Sequence, residues 1–213
     1  MSTTLGIIGV GKLGIALARA AVEAGFDTLV TSRNLENTRL IAEVMAPGTR
    51  VATLAEVAHR ADAVVLALPL HRLRDLPPDA FDGKVVIDAV NYWEPVDGDI
   101  AKFGVAAAAT SDLVQTHFAR ALVVKGLNQL GYHDVEDGRR PEGSPDRLGV
   151  ALAGNDVWAK RVAQEVVAKL GFDSIDSGTL KDGVNLGPGG PAFGTALTAR
   201  ELRARLESGP SSS

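Results

Sequence analysis

LGIIGVGKLGIALARAAVEAG, residues 5–25, contains three kinds of segment in succession. Leu5–Ile8 is a short apolar run, Gly9-Val10-Gly11-Lys12-Leu13-Gly14 is a glycine-rich turn, and Leu13–Ala24 has the alanine-rich pattern of a helix. Strand, tight turn and helix in that order are the context in which G-x-G-x-x-G binds a dinucleotide. Gly9 permits the tight turn, Gly11 lets the backbone approach a pyrophosphate, and Gly14 lets the helix pack against the strand. The helix start then offers free N–H groups and a partial positive charge to phosphate. The alternative is a structural glycine turn with no ligand.

The same alternation runs on from this segment. Further strands are expected at Thr28–Thr31, Arg50–Ala52, Ala63–Leu68, Val85–Ala89 and Ala121–Lys125, and helices at Leu35–Met45, Leu54–His59 and Ser111–Phe118. Thr53 and Glu56 have capping-box spacing. The continuous apolar runs at Ala63 and Val85 suit parallel strands covered on both faces. Six such strands predict a doubly wound parallel sheet of the Rossmann type, in the order 3-2-1-4-5-6, spanning residues 1–130. A long polar loop is expected over 131–147. A small C-terminal α/β segment, 148–207, follows. Its expected parts are a strand at Gly149–Ala153, a helix capped by Asn155 that reaches Leu170, a strand at Ser174–Asp176 and a last helix at Thr198–Leu206. The Ser/Gly/Pro-rich tail, 208–213, reads as disordered.

The end of the second strand selects among nucleotides. A site for NAD places an acid about 20 residues beyond the glycines, to bind the ribose 2′-hydroxyl. Thr31-Ser32-Arg33 stands there instead. A hydroxyl and a guanidinium suit a 2′-phosphate, because arginine presents a planar fork of donors. NADP(H) is therefore the expected nucleotide, with Arg39 a second candidate for the phosphate. The alternative is that Arg33 only caps the strand in solvent.

Composition narrows the function classes. The 213 residues are 46% hydrophobic, enough for one substantial core. A net charge of −4 argues against non-specific nucleic-acid binding. No apolar run reaches a membrane-spanning length, and Met1–Thr4 lacks the basic and apolar regions of a signal peptide, so a cytoplasmic location is the expectation. With no cysteine there is neither a thiolate nucleophile nor a disulfide. His59, His71, His117 and His133 lack metal-ligand spacing, and no metal site is expected.

Ligands of open parallel sheets bind at the carboxyl ends of the strands. After the fourth strand, Leu68 and Pro69 are placed beside the nicotinamide, with His71 next to them as a phosphate contact or a surface residue. After the fifth come Val90 and Asn91, then Tyr92 and Trp93, a stacking surface or a lid on the core edge. After the sixth come Lys125, Gly126 and Asn128: an amine for an anionic or carbonyl group, space for a ring, and an orienting amide. Tyr132-His133 follows, with His133 a possible proton donor. Phe193 stands in a glycine–proline turn that closes over a ligand or packs on the main domain. No residue stands out as a nucleophile or as half of an acid–base pair. Hydride transfer between bound redox groups needs alignment more than acid–base chemistry.

With these motifs in view, the chain resembles the NADPH-dependent coenzyme F-420 reductases (F-420H2:NADP oxidoreductases). The resemblance rests on Gly9 to Gly14, Thr31-Ser32-Arg33, Leu66-Ala67-Leu68-Pro69, Val86 to Asn91 and Val124 to Asn128, and on the strand–helix–strand pattern from Leu148 to Asp176. It implies hydride transfer between NADP(H) and the deazaflavin coenzyme F-420 or a related flavin-like acceptor. It also implies a pyrophosphate on Gly9 to Leu13, a 2′-phosphate on Ser32 and Arg33, a nicotinamide flanked by Leu68, Pro69 and Asn91, and a homodimer. The deazaflavin would occupy the cleft between the main domain and the C-terminal segment. The Asn91 to Pro95 loop, the sixth strand and the 131–147 segment depart from the family pattern, which bears on the second substrate rather than on the nucleotide. An NADP-dependent dehydrogenase or imine-type reductase of a small substrate is one alternative. A non-catalytic NADP(H)-binding redox sensor is another.

Overall fold

The computed structural model describes residues 3–104 and 109–208. Strands Thr4–Ile8 (β1), Asp27–Thr31 (β2), Arg50–Val51 (β3), Ala63–Leu66 (β4), Val85–Asp88 (β5), Leu122–Lys125 (β6), Gly149–Gly154 (β7) and Asp173–Asp176 (β8) form one sheet in the order β3-β2-β1-β4-β5-β6-β7-β8. The first six are parallel in the expected order. β7 joins the β6 edge antiparallel, with Lys125 opposite Ala153, and β8 runs parallel to β7. The C-terminal segment therefore extends the main sheet.

Helices Lys12–Glu23 (α1), Leu35–Met45 (α2), Leu54–Arg60 (α3), Glu94–Asp97 (α4), Thr110–His117 (α5), Tyr132–Asp137 (α6), Val157–Lys169 (α7) and Ala199–Glu207 (α8) complete the α/β layering. One apolar layer packs Ile15, Leu17 and Ala21 of α1 and Val166 and Val167 of α7 on Ile7, Val65 and Ile87. The opposite layer packs Val57, Leu70, Phe81, Val114 and Phe118 on Leu29, Val64 and Val86. Both faces of β4 and β5 are covered, so their side chains are apolar without alternation except for Asp88 at the end. A third small cluster seats Leu186, Ala192 and Leu202 against Ala151 and Ala153 of β7.

Local signals account for the helix starts. Thr53–Glu56 and Thr198–Glu201 both close capping boxes. Asn34 caps α2 through the Asn37 N–H. The cap of α7 is Asp156, which accepts from Ala159 N–H, and not Asn155, whose side chain accepts from Leu180 N–H at 3.0 Å. The fourth strand stops at Leu66, two residues short of expectation.

The expected loop over 131–147 is corrected in its first half. Residues 132–137 form α6, which lies on α1 with Val135 buried and with ion pairs Arg19–Glu136 and Arg139–Glu23 joining the two segments. Of the expected disordered tail, Ser208 closes α8, and 209–213 lie outside the described residues. No helix among the described residues is long and apolar enough to cross a membrane.

Candidate functional site

A cleft of about 750 Å³ opens at the carboxyl ends of β1, β2 and β4. Its floor is Gly9-Val10-Gly11, one wall runs from Thr31 to Asn34, and the facing wall carries Leu68, Pro69, His71 and Arg72.

The three motif glycines differ in what surrounds them. Gly9 sits at φ 115°, and a Cβ there would overlap the Ala67 carbonyl. A Cβ at Gly14 would overlap the Gly9 carbonyl. At Gly11 nothing lies within 4 Å. Two glycines are thus held by the protein's own packing, and the third borders open space. Gly11 is also the N-cap of α1 and supplies no side-chain cap. The unpaired N–H groups of the first helical turn therefore stay available to an anion. The glycines and the free helix start fit a dinucleotide diphosphate.

Arg33 is exposed, lines the cleft and makes no ion pair among the described residues. Ser32 is more constrained. Its Oγ lies 2.7 Å from Thr38 Oγ1 and accepts from Asn34 N–H at 3.4 Å. Thr38 spends its only hydroxyl proton on the Asn34 carbonyl, at 2.8 Å. Ser32 must therefore be the donor in the Ser32–Thr38 bond. Its proton is committed, whereas the Arg33 donors are free. Arg39 is exposed on α2 and does not line the cleft.

Residues 4–92 match the family model for coenzyme F420-dependent NADP oxidoreductases. The matched span runs from β1 to the loop after β5, so it holds Gly9 to Gly14, Ser32, Arg33, Leu68, Pro69 and Asn91. A search of the curated proteins finds no match. Among solved structures, the chain is similar to the hypothetical protein SMa0349 of Sinorhizobium meliloti, with a TM-score of 0.78 at 25% identity over 91% of this chain and 94% of that one. It is also similar to a protein of Arthrobacter sp. FB24 described provisionally as an F420-dependent NADP reductase, with a TM-score of 0.64 at 24% identity over 84% and 86% of the two chains. An imine reductase from Pseudomonas sp. shares the fold at 15% identity and a TM-score of 0.58, and this chain covers 61% of its length.

Beyond the cleft, the candidates expected to meet a second substrate divide. Lys125 does not face a site. It is fully buried, with Nζ 3.3 Å from Asp88 Oδ2 and also bonded to the Val90 carbonyl. Burial pushes its amine below the ordinary lysine value, and the Asp88 charge pulls it back up. Asp88 also accepts from Ser111 Oγ at 2.8 Å and from Val90 N–H at 2.9 Å. Gly126 does not make room for a ring, because a Cβ there would overlap Leu152 of β7. One cause explains both corrections. β6 is not the edge of the sheet, and β7 covers what an edge would expose.

Asn91 and Asn128 do come together across the ends of β5 and β6. Asn91 Nδ2 donates to the Asn128 carbonyl at 2.8 Å, and Asn128 Nδ2 donates to Asn91 Oδ1 at 3.0 Å. Asn128 also donates to the Leu186 carbonyl at 2.7 Å, and Gly194 N–H donates to the Gln129 carbonyl at 3.1 Å. These bonds bring the segment carrying the half-buried Phe193 over this end of the sheet. Leu127, the second residue after β6, is buried at φ 63°, a left-handed conformation that leucine avoids.

The aromatic pair also separates. Tyr92 donates its hydroxyl to the Gly98 carbonyl at 2.7 Å and meets Phe103 edge-on, so it covers the core edge. Trp93 is 61% exposed. His133 is exposed, with its ring 3.8 Å from that of Tyr132. Lys12 Nζ stands 5.0 Å from the Tyr132 ring centre. No cluster of three potential metal ligands occurs among the described residues.

His71 and Asp97 form a pair that sequence spacing did not reveal. They are 26 residues apart and meet at 2.8 Å, and the only local hint was a histidine just past a strand end.

Proposed function

We propose that the chain is an NADP(H)-dependent oxidoreductase that passes a hydride between NADP(H) and the deazaflavin coenzyme F-420 or a related flavin-like acceptor. The observation that carries the nucleotide half is the free Arg33 guanidinium beside Ser32, on the wall of a cleft floored by Gly9 to Gly11. The family model matched by residues 4–92 supports the same reading and bears on the acceptor.

When bound, the nicotinamide supplies or takes up the hydride. The chain's own residues bind, orient and shield. N–H groups at the start of α1 hold the diphosphate, and Arg33 with Ser32 holds the 2′-phosphate. Leu68 and Pro69 present apolar surface that keeps water from the reacting ring. Asn91 is held in one orientation by Asn128, with one position left on its oxygen and one on its nitrogen for a carboxamide. Trp93 offers an exposed ring face to a flat acceptor, and Phe193 stands on the segment tied to Asn128 and Gln129. Lys125 takes no part in contacting substrate.

Purified protein should bleach oxidised coenzyme F-420 with NADPH and not with NADH. FMN in place of F-420 tests how far the acceptor class extends. Tight NADPH binding without turnover on either acceptor would refute the redox half and favour a sensor. Preference for NADH would refute the nucleotide half.

A further inference from the structure

The side of the cleft facing Arg33 holds a histidine whose orientation is fixed by a buried carboxylate. Pro69 ends the extended chain after β4, and Leu70–Asp75 turns as a 3-10 helix with His71 on the cleft wall. Asp97, at the end of α4, has a side chain only 1% exposed. Its Oδ1 accepts from the His71 backbone N–H at 3.0 Å and lies 2.8 Å from His71 Nδ1, and its Oδ2 accepts from Trp93 N–H at 2.8 Å. A carboxylate that receives N–H donors on both oxygens takes the ring's proton-bearing nitrogen as another donor. Nδ1 is therefore the protonated atom, and Nε2 is the atom left for the cleft. The imidazole is one-third exposed, so it is open to a ligand while its rotation is blocked.

Few charged groups face this ring. Asp97 touches it from α4. Arg72 and Asp75 line the cleft from its own turn and pair with each other at 3.1 Å, which largely cancels their charges. Arg33 lines the opposite wall from the end of β2. Arg74 turns away to the Lys102 carbonyl, and Glu94 and Asp99 are exposed outside the cleft lining. The floor, Gly9-Val10-Gly11, carries no charged side chain.

We propose that His71, held by Asp97, is a protonation-dependent phosphate contact of this cleft, so that nucleotide binding takes up a proton from solvent onto Nε2. The proposal rests on the cleft being the NADP(H) site. Neutral His71 turns a lone pair toward phosphate oxygens, whereas the imidazolium turns an N–H toward them. Asp97 also accepts from Trp93 N–H. The contact thus ties the nucleotide wall to the loop that carries Asn91 and Trp93.

The test is titration calorimetry of NADPH and NADH in buffers of different ionisation enthalpy, between about pH 5.5 and 8.5, the range that brackets imidazole titration. Wild type should take up protons on binding, and affinity should rise by about tenfold from the alkaline to the acid end, the worth of one charge-assisted hydrogen bond. His71→Gln should bind with no uptake from this site and lack that rise. Proton exchange by the nucleotide's own 2′-phosphate is common to both proteins and cancels in the comparison. An effect with NADPH alone places the contact at the 2′-phosphate, and an effect with both nucleotides places it at the diphosphate. Equal proton uptake and equal pH profiles in wild type and His71→Gln would overturn the proposal. If neither nucleotide binds wild type at any pH, the cleft assignment itself fails and this proposal falls with it.

Discussion

Replacing Arg33 with alanine should cost the protein its preference for NADPH, and replacing Ser32 should cost much less. The proton count at the end of β2 sets this order. Arg33 brings unengaged donors to the cleft, so one or two charge-assisted bonds to a 2′-phosphate are gained without breaking any bond within the protein. Such bonds contribute about 1.5–3 kcal/mol each, and the exposure of Arg33 favours the low end, near 2 kcal/mol in all. That corresponds to roughly thirtyfold in Kd. Ser32 has to withdraw its proton from Thr38 Oγ1, a bond of 2.7 Å, before it can donate to phosphate. A gain of about 1.5 kcal/mol then offsets a loss of about 1 kcal/mol, leaving about 0.5 kcal/mol, roughly a twofold effect. Fluorescence titration of NADPH and NADH against wild type, Arg33→Ala and Ser32→Ala measures all three numbers. NADH affinity should stay within about twofold in both variants, because NADH has no 2′-phosphate to lose. If Ser32→Ala costs as much as Arg33→Ala, the proton assignment is wrong. If Arg33→Ala weakens NADH and NADPH equally, Arg33 does not read the 2′-phosphate.

The glycines should respond in opposite ways. Gly11→Ala has open space for its Cβ and an ordinary backbone conformation, so its melting temperature should match wild type while NADPH affinity falls by at least about tenfold. Gly9→Ala has φ 115° and the Ala67 carbonyl in its way, so it should lose stability outright in the same thermal melt. Lys125→Met should destabilise by about 3–5 kcal/mol in urea unfolding, because it strands the Asp88 charge in the core, and adding Asp88→Asn should restore part of that loss. Glu56 has its carboxyl held below the ordinary range, first by the Thr53 backbone N–H and then by the Thr53 hydroxyl. Its contribution to stability is therefore complete above the unfolded-state pKa of about 4.3 and lost as pH falls through the lower folded value. Melts of wild type and Glu56→Gln should stay separated by a constant gap from about pH 6 to 8 and converge on acidification below the unfolded pKa. A gap that persists in strong acid would show that the capping box does not depend on the carboxylate.

What was legible in the sequence was local. Gly9, Gly11 and Gly14 lie within six residues of one another, and Thr53–Glu56 and Thr198–Glu201 close within four, so their chemistry is set by spacing along the chain. The parallel order of the first six strands was legible for a related reason: apolar runs separated by helical stretches leave few right-handed ways to wind. Lys125 was not legible, and the difficulty was physical. A lysine at the end of a strand meets solvent or substrate if that strand is the sheet's edge, and a core carboxylate if another strand lies beyond it. Ala153, 28 residues downstream, decides between these by pairing with Lys125. The β5 register supplies the second half of the answer, since Asp88 lies directly beside Lys125. The His71–Asp97 contact and the seating of α6 on α1 have the same character. Each involves a segment whose own composition reads as polar loop, and each is visible only once the sheet has set the distance between the partners. A strand end in an open sheet is therefore a functional position only as far as the next strand permits. In this chain that criterion retains the ends of β1, β2 and β4, which line the candidate cleft. It assigns the end of β6 to two roles at once, with Lys125 inside the core and Asn128 bonded to Asn91 across the strand ends.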